Sequence, residues 1–180
     1  MLADVPLVTG PDVEAAAALL EGVVRTTPLW HNRGLAERCG GPVWLKCENL
    51  QRTGSFKIRG AYTRISRLTP EERARGVVAA SAGNHAQGVA LAAQLLGASA
   101  TVFMPETAPL PKLEATRAYG ATVHLGGQTL TDALAAAQEH AAATGAVVIH
   151  PFDHADVIAG QGTVGLEVLE QCPDVRTVVV

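Results

Sequence analysis

One lysine of this chain stands where its amine could act as a nucleophile. Residues 51–54 are typical of a turn, because Gly54 supplies the backbone freedom that a turn requires. Ser55 is suited to an N-cap, and the apolar residues of segment 56–68 recur with helical spacing. This pattern places Lys57 in the first turn of the predicted helix.

Two effects are expected to lower the pKa of Lys57 at that position. The positive end of a helix dipole disfavours a second positive charge, and the apolar neighbours Phe56 and Ile58 can shield the amine from water. A free amine is the form that makes a Schiff base with a carbonyl compound. The sequence therefore predicts a nucleophilic lysine, and a surface lysine without a chemical role is the alternative.

A second segment, residues 81–88, joins a predicted strand to a predicted helix that begins near Asn84. Unpaired backbone N–H groups at a helix N-terminus, together with the helix dipole, favour a carboxylate or a phosphate. The small side chains of residues 81–83 would let a ligand approach the backbone, and the Asn84 amide adds a neutral hydrogen-bonding group. An ordinary strand-to-helix turn without a ligand is the alternative.

The rest of the chain alternates predicted strands with predicted helices, and glycines mark most of the boundaries. Alternation at these lengths predicts parallel βαβ units with right-handed crossovers, and therefore an α/β fold. The predicted helices span residues 12–24, 56–68, 84–96, 110–119, 129–143 and 157–171, and the predicted strands span residues 43–47, 77–80, 100–104, 121–125, 147–149 and 176–180.

The last predicted strand, residues 176–180, has the composition of a buried parallel strand. In open α/β sheets the ligand-binding loops begin at the carboxyl ends of such strands. We therefore expect that this chain is part of a longer enzyme.

Composition excludes several classes of function. The 180 residues carry a net charge of −3 and no cluster of Lys and Arg, so no nucleic-acid partner is expected. No apolar run is long enough to span a membrane. Cys39, Cys47 and Cys172 are odd in number and widely spaced, which favours reduced thiols in a cytoplasmic protein over disulfides or a zinc site.

Two further patterns have weaker support. Residues 160–165 match a Gly-x-Gly-x-x-Gly string, but no convincing strand precedes them, so we expect small residues that pack a helix on the sheet rather than NAD binding. His150 and His154 have the i, i+4 spacing of a helical metal site. Pro151 between them favours a loop, and we expect no metal.

The two segments that carry the candidate chemistry resemble one family of enzymes. Residues 48–61 (ENLQRTGSFKIRGA) and 81–88 (SAGNHAQG) closely resemble the threonine ammonia-lyases (threonine dehydratases). These belong to the serine/threonine dehydratase branch of the pyridoxal-phosphate enzymes with the tryptophan-synthase-β fold. The resemblance covers most of the chain from about Arg25 and continues through residues 102–105, 108–112 and 157–163.

This resemblance implies a two-lobed α/β fold with an open parallel sheet, in which the large lobe is only partly present. Residues 1–67 would form the first part of the large, cofactor-binding lobe, residues 68–149 the small lobe, and residues 150–180 the return into the large lobe. In the family, the strand that corresponds to residues 176–180 leads into a glycine-rich loop around the cofactor phosphate, and the sequence does not contain that loop. We therefore expect the chain alone to bind the cofactor weakly and to be inactive.

The resemblance also implies roles for the matching residues. Lys57 would form the Schiff base with pyridoxal 5'-phosphate and move the α-proton of the substrate, and Phe56 would pack on the pyridine ring. Asn84 would hydrogen-bond the phenolic oxygen of the cofactor. The carboxylate of a small amino-acid substrate would be bound by the loop residues Ser81, Gly83, Asn84 and His85.

The implied reaction is the β-elimination and deamination of L-threonine to 2-oxobutanoate, and of L-serine to pyruvate. We expect it in cytoplasmic amino-acid metabolism, such as isoleucine biosynthesis, in a homodimeric enzyme. Ala82 stands where serine racemases of this fold carry a serine, so the match favours a dehydratase over a racemase. A serine dehydratase or racemase-like lyase of the same fold, and a non-catalytic anion-binding α/β fragment, are the alternatives.

Overall fold

The computed structural model of the chain describes residues 7–180, so residues 1–6 of the predicted first lobe segment lie outside it. In this range the helices are α1 (Gly10–Leu20), α2 (Arg33–Cys39), α3 (Lys57–Ser66), α4 (Pro70–Arg75), α5 (Asn84–Leu95), α6 (Leu110–Ala118), α7 (Leu130–Thr144) and α8 (Ala155–Gln171). The strands are β1 (Leu29–His31), β2 (Trp44–Lys46), β3 (Val77–Ala80), β4 (Ala100–Met104), β5 (Thr122–Leu125) and β6 (Val147–Val148). Two short 3-10 helices, Glu48–Leu50 and Arg52–Gly54, precede α3.

Four of these strands form a parallel sheet in the order β5–β4–β3–β6. Val77 of β3 pairs with Ala100 on one side and with Val147 on the other. The predicted parallel βαβ units are thus confirmed here, and the fold class is α/β. β1 and β2 form a separate antiparallel ribbon, in which Leu29 pairs with Lys46.

The strand order reverses next to β3. The chain runs outward from β3 through β4 to β5, and then returns to place β6 on the other side of β3. In open α/β sheets, ligands bind outside the carboxyl ends of the two strands at such a reversal. The segments that follow β3 and β6 therefore frame the expected ligand crevice.

The main hydrophobic core lies between the sheet and the helices α3 and α5. Ile58 and Ile65 of α3, Val89 of α5 and Val102 of β4 are all fully buried in it. α5 is buried along most of its length, which explains why its sequence reads as nearly continuous small and apolar residues. Among the residues that the structure describes, none of the helices is both long and apolar enough to cross a lipid bilayer.

The predicted strand at residues 176–180 is wrong. None of the described strands pairs with this segment, and its residues Val178, Val179 and Val180 are exposed. A β-branched run becomes a strand only when a neighbouring strand takes up its backbone hydrogen bonds.

The predicted division at residues 67/68 and 149/150 into parts of two lobes stays a prediction.

Candidate active site

Lys57 is the first residue of α3. Phe56 before it already has helical backbone angles, φ −65° and ψ −9°, whereas Ser55 is extended, as expected of the predicted N-cap. Ser55 still supports the turn, since its hydroxyl oxygen accepts a long hydrogen bond of 3.4 Å from the backbone N–H of Lys57.

The Lys57 amine is half-buried and faces a neutral acceptor. Its Nζ donates a hydrogen bond of 2.6 Å to the backbone oxygen of Pro151, and lies 5.0 Å from the centre of the Phe56 ring. Within the described residues no carboxylate lies close enough to pair with this amine. Burial lowers the pKa of the Lys57 amine, in the direction that the sequence predicts.

A glycine sets the distance between the two candidate segments. A β-carbon added at Gly88 of α5 would lie 2.9 Å from the carbonyl carbon of Lys57 and 3.1 Å from the nitrogen of Ile58. These atoms belong to the backbone and cannot rotate away. Gly88 therefore lets the first turns of α3 and α5 lie closer together than a larger residue would allow.

The loop of residues 81–83 leads from β3 into α5 at the carboxyl edge of the sheet. The N–H of Ser81 donates to the oxygen of Phe103, and the N–H of Gly83 donates to the Ser81 hydroxyl at 3.1 Å. No side chain of the described residues caps the N-terminus of α5 at Gly83. A side chain added at Gly83 would meet no atom within 4 Å, so the space beside this loop is open.

His85 faces inward, away from solvent. Its Nε2 lies 2.8 Å from the backbone oxygen of Ile149, which can only accept, so Nε2 carries the proton and donates. Burial lowers the pKa of His85 to about 4, against an opposing effect of the Ile149 oxygen. The imidazole is therefore neutral near pH 7 and ties α5 to the end of β6.

Asn84, the first residue of α5, is exposed, and its side-chain oxygen accepts a hydrogen bond of 2.6 Å from Nζ of Lys112. Lys112 lies in the first turn of α6. The structure thus brings a cation beside a predicted site residue, and the sequence analysis missed it. The only signal available was the position of Lys112 at a helix N-terminus, where a positive charge is disfavoured.

Three more residues, near Lys57 in space or in sequence, had no predicted role. The Pro151 oxygen that accepts from Lys57 also accepts a hydrogen bond of 3.0 Å from Gln161 of α8. Thr53 has φ +64°, a left-handed conformation that costs a β-branched residue about 1–3 kcal/mol. Such strain is concentrated at functional sites, and here it lies four residues before the lysine.

A buried ionic network holds α3 in place beneath the site. The Arg59 side chain is 1% exposed, and its Nε and Nη2 donate to the two carboxylate oxygens of Glu48, both at 2.9 Å. Its Nη1 donates to Glu167 of α8 at 2.7 Å. Since Arg59 is two residues from Lys57, this network fixes the start of α3 relative to α8.

The glycines of residues 160–165 lie inside α8, so the expectation of helix–sheet packing is corrected to helix–helix packing. A β-carbon added at Gly160 would lie 2.9 Å from Cα of Gly60 in α3. One added at Gly60 would lie 2.9 Å from a side-chain carbon of Val157. Small residues on both helices allow α3 and α8 to pack closely, which positions Lys57 against the loop before α8.

Pyridoxal phosphate, which the sequence resemblance implies, fits the residues found here. Its aldehyde needs a free amine, and the Lys57 amine is half-buried and bonded to a carbonyl oxygen rather than to a carboxylate. A β-carbon added at Gly83 would meet no atom within 4 Å, so the loop before α5 leaves its backbone open to a ligand. The amide of Asn84 adds a hydrogen-bonding group at the same helix end.

Comparison with known proteins identifies relatives of this chain. L-threonine ammonia-lyase from Thermotoga maritima is 55% identical over 174 residues, which are 97% of this chain and 43% of that protein. The catabolic L-threonine dehydratase of Staphylococcus aureus is 48% identical over 170 residues, which are 94% of this chain and 49% of that protein. The chain thus spans less than half the length of these two relatives.

Solved structures have the same fold. Threonine deaminase isoform 2 from Solanum lycopersicum aligns with a TM-score of 0.83 at 41% identity, over 93% of this chain and 50% of that chain. Maize serine racemase aligns with a TM-score of 0.89 at 37% identity, over 93% of this chain and 51% of that chain. Residues 20–180 match the family described as pyridoxal-phosphate dependent enzymes. The chain therefore belongs to the family of pyridoxal-phosphate dependent enzymes.

Proposed function

We propose that the protein is a pyridoxal-phosphate-dependent L-threonine ammonia-lyase that forms 2-oxobutanoate and ammonia, and that it converts L-serine to pyruvate in the same way. One observation carries the proposal: the half-buried Lys57 amine is bonded to a carbonyl oxygen of the segment that follows β6, and the backbone of Lys57 packs against Gly88 of α5, at the reversal of the strand order. The threonine-converting relatives support this choice of substrate.

Lys57 would hold the cofactor through its aldehyde and would take the α-proton of the substrate. Burial favours its neutral form, which is the form that attacks the aldehyde and accepts a proton. When bound, pyridoxal phosphate supplies an electron sink for the electron pair that the departing α-proton leaves behind. Phe56 would pack on the face of the ring, and Asn84 would donate a hydrogen bond to its phenolic oxygen.

The loop of residues 81–85 binds the substrate carboxylate through its backbone N–H groups and the positive end of α5. Ser81, Gly83, Asn84 and His85 contribute to this subsite, His85 through its backbone alone, because its side chain is buried. Anchoring the carboxylate there orients the α-hydrogen toward Lys57. The hydroxyl then leaves the β-carbon as water, and hydrolysis of the released enamine returns one water and frees ammonia.

The similarity to maize serine racemase supports a second candidate, a lyase with racemase activity. A racemase needs a proton donor on the face of the α-carbon opposite the lysine. Ala82 has no proton to give. We therefore expect D-serine to stay undetectable by chiral chromatography when L-serine is the substrate, and accumulation of D-serine would favour the racemase.

We extend the proposal to the setting of the enzyme. From the sequence resemblance we expect a homodimeric enzyme in the cytoplasm that supplies 2-oxobutanoate for isoleucine biosynthesis. The name of the staphylococcal relative favours threonine breakdown instead. A strain that lacks the protein distinguishes the biosynthetic role from threonine breakdown, because only the biosynthetic role predicts a growth defect that isoleucine relieves.

Borohydride reduction after addition of pyridoxal phosphate, followed by peptide mass mapping, tests the lysine. The chain contains Lys46, Lys57 and Lys112, so the adduct has few possible sites. We expect it on Lys57 alone, and we expect Lys57→Arg to lose the adduct and, in the intact enzyme, the release of 2-oxobutanoate from threonine. A folded protein with no adduct, or with an adduct spread over all three lysines, would instead support a non-catalytic anion-binding fragment.

A further inference from the structure

The side chain of Asn84 is held in one orientation by a cation from a neighbouring helix. Nζ of Lys112 lies 2.6 Å from the side-chain oxygen of Asn84. An ammonium group can only donate, so the branch of the amide that faces Lys112 must be the oxygen. The NH2 branch therefore points elsewhere, and in the part of the chain that the structure describes it has no protein acceptor.

Asn84 lies on the side of α5 that contacts the start of α3. Asn84 lies four residues before Gly88, so the two residues share one face of the helix. Gly88 is the residue at which α5 contacts the backbone of Lys57. The face of α5 that carries Asn84 is therefore the face directed toward the start of α3.

Lys112 stands where helix electrostatics alone would disfavour it. It is the third residue of α6, at the positive end of that helix, and its partner Asn84 begins α5 at another positive end. A cation between two helix N-termini gains nothing from either dipole. The charge-assisted hydrogen bond to Asn84 is the favourable contact that the described structure gives this ammonium.

We infer that Lys112 is a positioning residue that fixes the Asn84 amide with its NH2 group toward the bound ligand. The inference rests on the proposed function, in which Asn84 donates to the phenolic oxygen of the cofactor. If the Asn84 amide rotated freely, its oxygen would face the phenolic oxygen of the cofactor for part of the time. Both atoms are hydrogen-bond acceptors, so they would repel each other. Lys112 prevents the amide from turning its oxygen toward the ligand, and it does so without contacting the ligand.

Three variants of the intact protein test the inference. Lys112→Met removes the donor, Lys112→Arg keeps one, and Arg117→Met removes an exposed cation from the last turn of the same helix as a control. The first readout is the ¹H–¹⁵N signal of the Asn84 side-chain amide in protein without cofactor, assigned by its disappearance in Asn84→Asp. The second is titration with pyridoxal phosphate, followed by the absorbance of the cofactor bound at Lys57.

We expect Lys112→Met to shift the Asn84 amide signal and to weaken cofactor binding by about threefold to tenfold, the range of one partly exposed hydrogen bond. Lys112→Arg should restore both, and Arg117→Met should change neither. If Lys112→Met lowers the melting temperature, Lys112→Ala replaces it, because alanine also has no side-chain donor and favours the helix.

The inference is overturned if Lys112→Met matches wild type in both readouts, or if Arg117→Met and Lys112→Arg weaken binding as much as Lys112→Met does. These outcomes differ from a failure of the proposed function, in which wild-type protein itself forms no adduct at Lys57. The amide signal needs no cofactor, so it reports on the Lys112 contact in either case.

Discussion

Gly88→Ala tests whether the close contact of α5 with α3 holds Lys57 in place. The added carbon would lie 2.9 Å from the carbonyl carbon of Lys57. Comfortable carbon–carbon contacts are about 3.5–4.0 Å, so the two helices would have to separate by roughly 0.6–1 Å. Overpacking of this kind costs about 1–3 kcal/mol.

Alanine also raises helix propensity by about 1 kcal/mol over glycine, which would hide part of that cost. Gly165→Ala provides the matched control, because Gly165 lies inside α8 and a β-carbon there meets no atom within 4 Å. The propensity gain is common to both variants. Gly88→Ala should therefore be less stable than Gly165→Ala by about 1–3 kcal/mol, which corresponds to a melting temperature lower by roughly 2–12 °C.

Circular dichroism during heating and in urea measures this difference, and borohydride trapping measures the yield of the Lys57 adduct. We expect Gly88→Ala to lose most of the adduct while it is still folded at 25 °C, because Lys57 moves with the start of α3. Equal stability of the two alanine variants, together with an unchanged adduct yield, would refute the reasoning from the contact.

Three further changes test the surroundings of the site. Burial lowers the pKa of His85 from 6.5 to about 4. Between these pH values the imidazole binds a proton in the unfolded chain but not in the folded one. The contribution of His85 to the free energy of unfolding should therefore be complete above pH 6.5, and the free energy should be roughly 3 kcal/mol lower at pH 4. This loss should shrink in His85→Gln but not in the exposed control His31→Gln, and equal pH profiles would argue against a buried neutral imidazole. Arg59→Met leaves the carboxylates of Glu48 and Glu167 without their guanidinium, so the free energy of unfolding measured in urea should fall by about 3–5 kcal/mol. The exposed control Arg33→Met should lower it by less than about 0.5 kcal/mol. Similar losses in both variants would contradict the buried network. Gly83→Val adds a side chain beside the loop, so calorimetry should show weaker cofactor and substrate binding. The melting temperature should fall by only about 2–4 °C, because valine is a poorer N-cap of α5 than glycine. Unchanged binding would place the ligand elsewhere.

The sheet region was predictable because its local signals agree with its packing. β3 and β4 have the predicted boundaries, and α5 begins at the predicted Asn84 and ends one residue early. β-Branched and apolar runs alternate there with glycines that take left-handed conformations, such as Gly76 with φ +84° and Gly145 with φ +74°. Gly22 with φ +72° likewise explains why α1 ends at Leu20 and not at the predicted residue 24.

The elements before α3 were harder to predict. β1 is three residues long, and the short helix α2 buries none of its residues, so neither has a hydrophobic pattern to recognise. Residues 176–180 show the opposite failure, because their composition favours a strand and only the missing partner strand decides against it.

Part of the site could be predicted from residue types, and part depends on distant contacts. Lys57 and the loop before α5 are identifiable from their side chains and turn chemistry. The acceptor for Lys57 is a backbone oxygen 94 residues away, and a backbone oxygen has no signature in the sequence. Arg59 is nearly fully buried although arginine is usually exposed, and only the fold brings Glu48 and Glu167 to its two sides.

The partnership of Arg59 with Glu167 has a consequence for the order of events during protein synthesis. The two residues are 108 positions apart. At about 5–20 residues per second, a ribosome adds Glu167 roughly 5–20 s after Arg59. Throughout that interval a nascent chain has α3 but not the whole of α8, so α5 is the one of these two neighbouring helices that can pack on α3. For most of the interval the Pro151 oxygen is also still to be made, so the Lys57 amine, the proposed nucleophile, lacks this partner on the nascent chain.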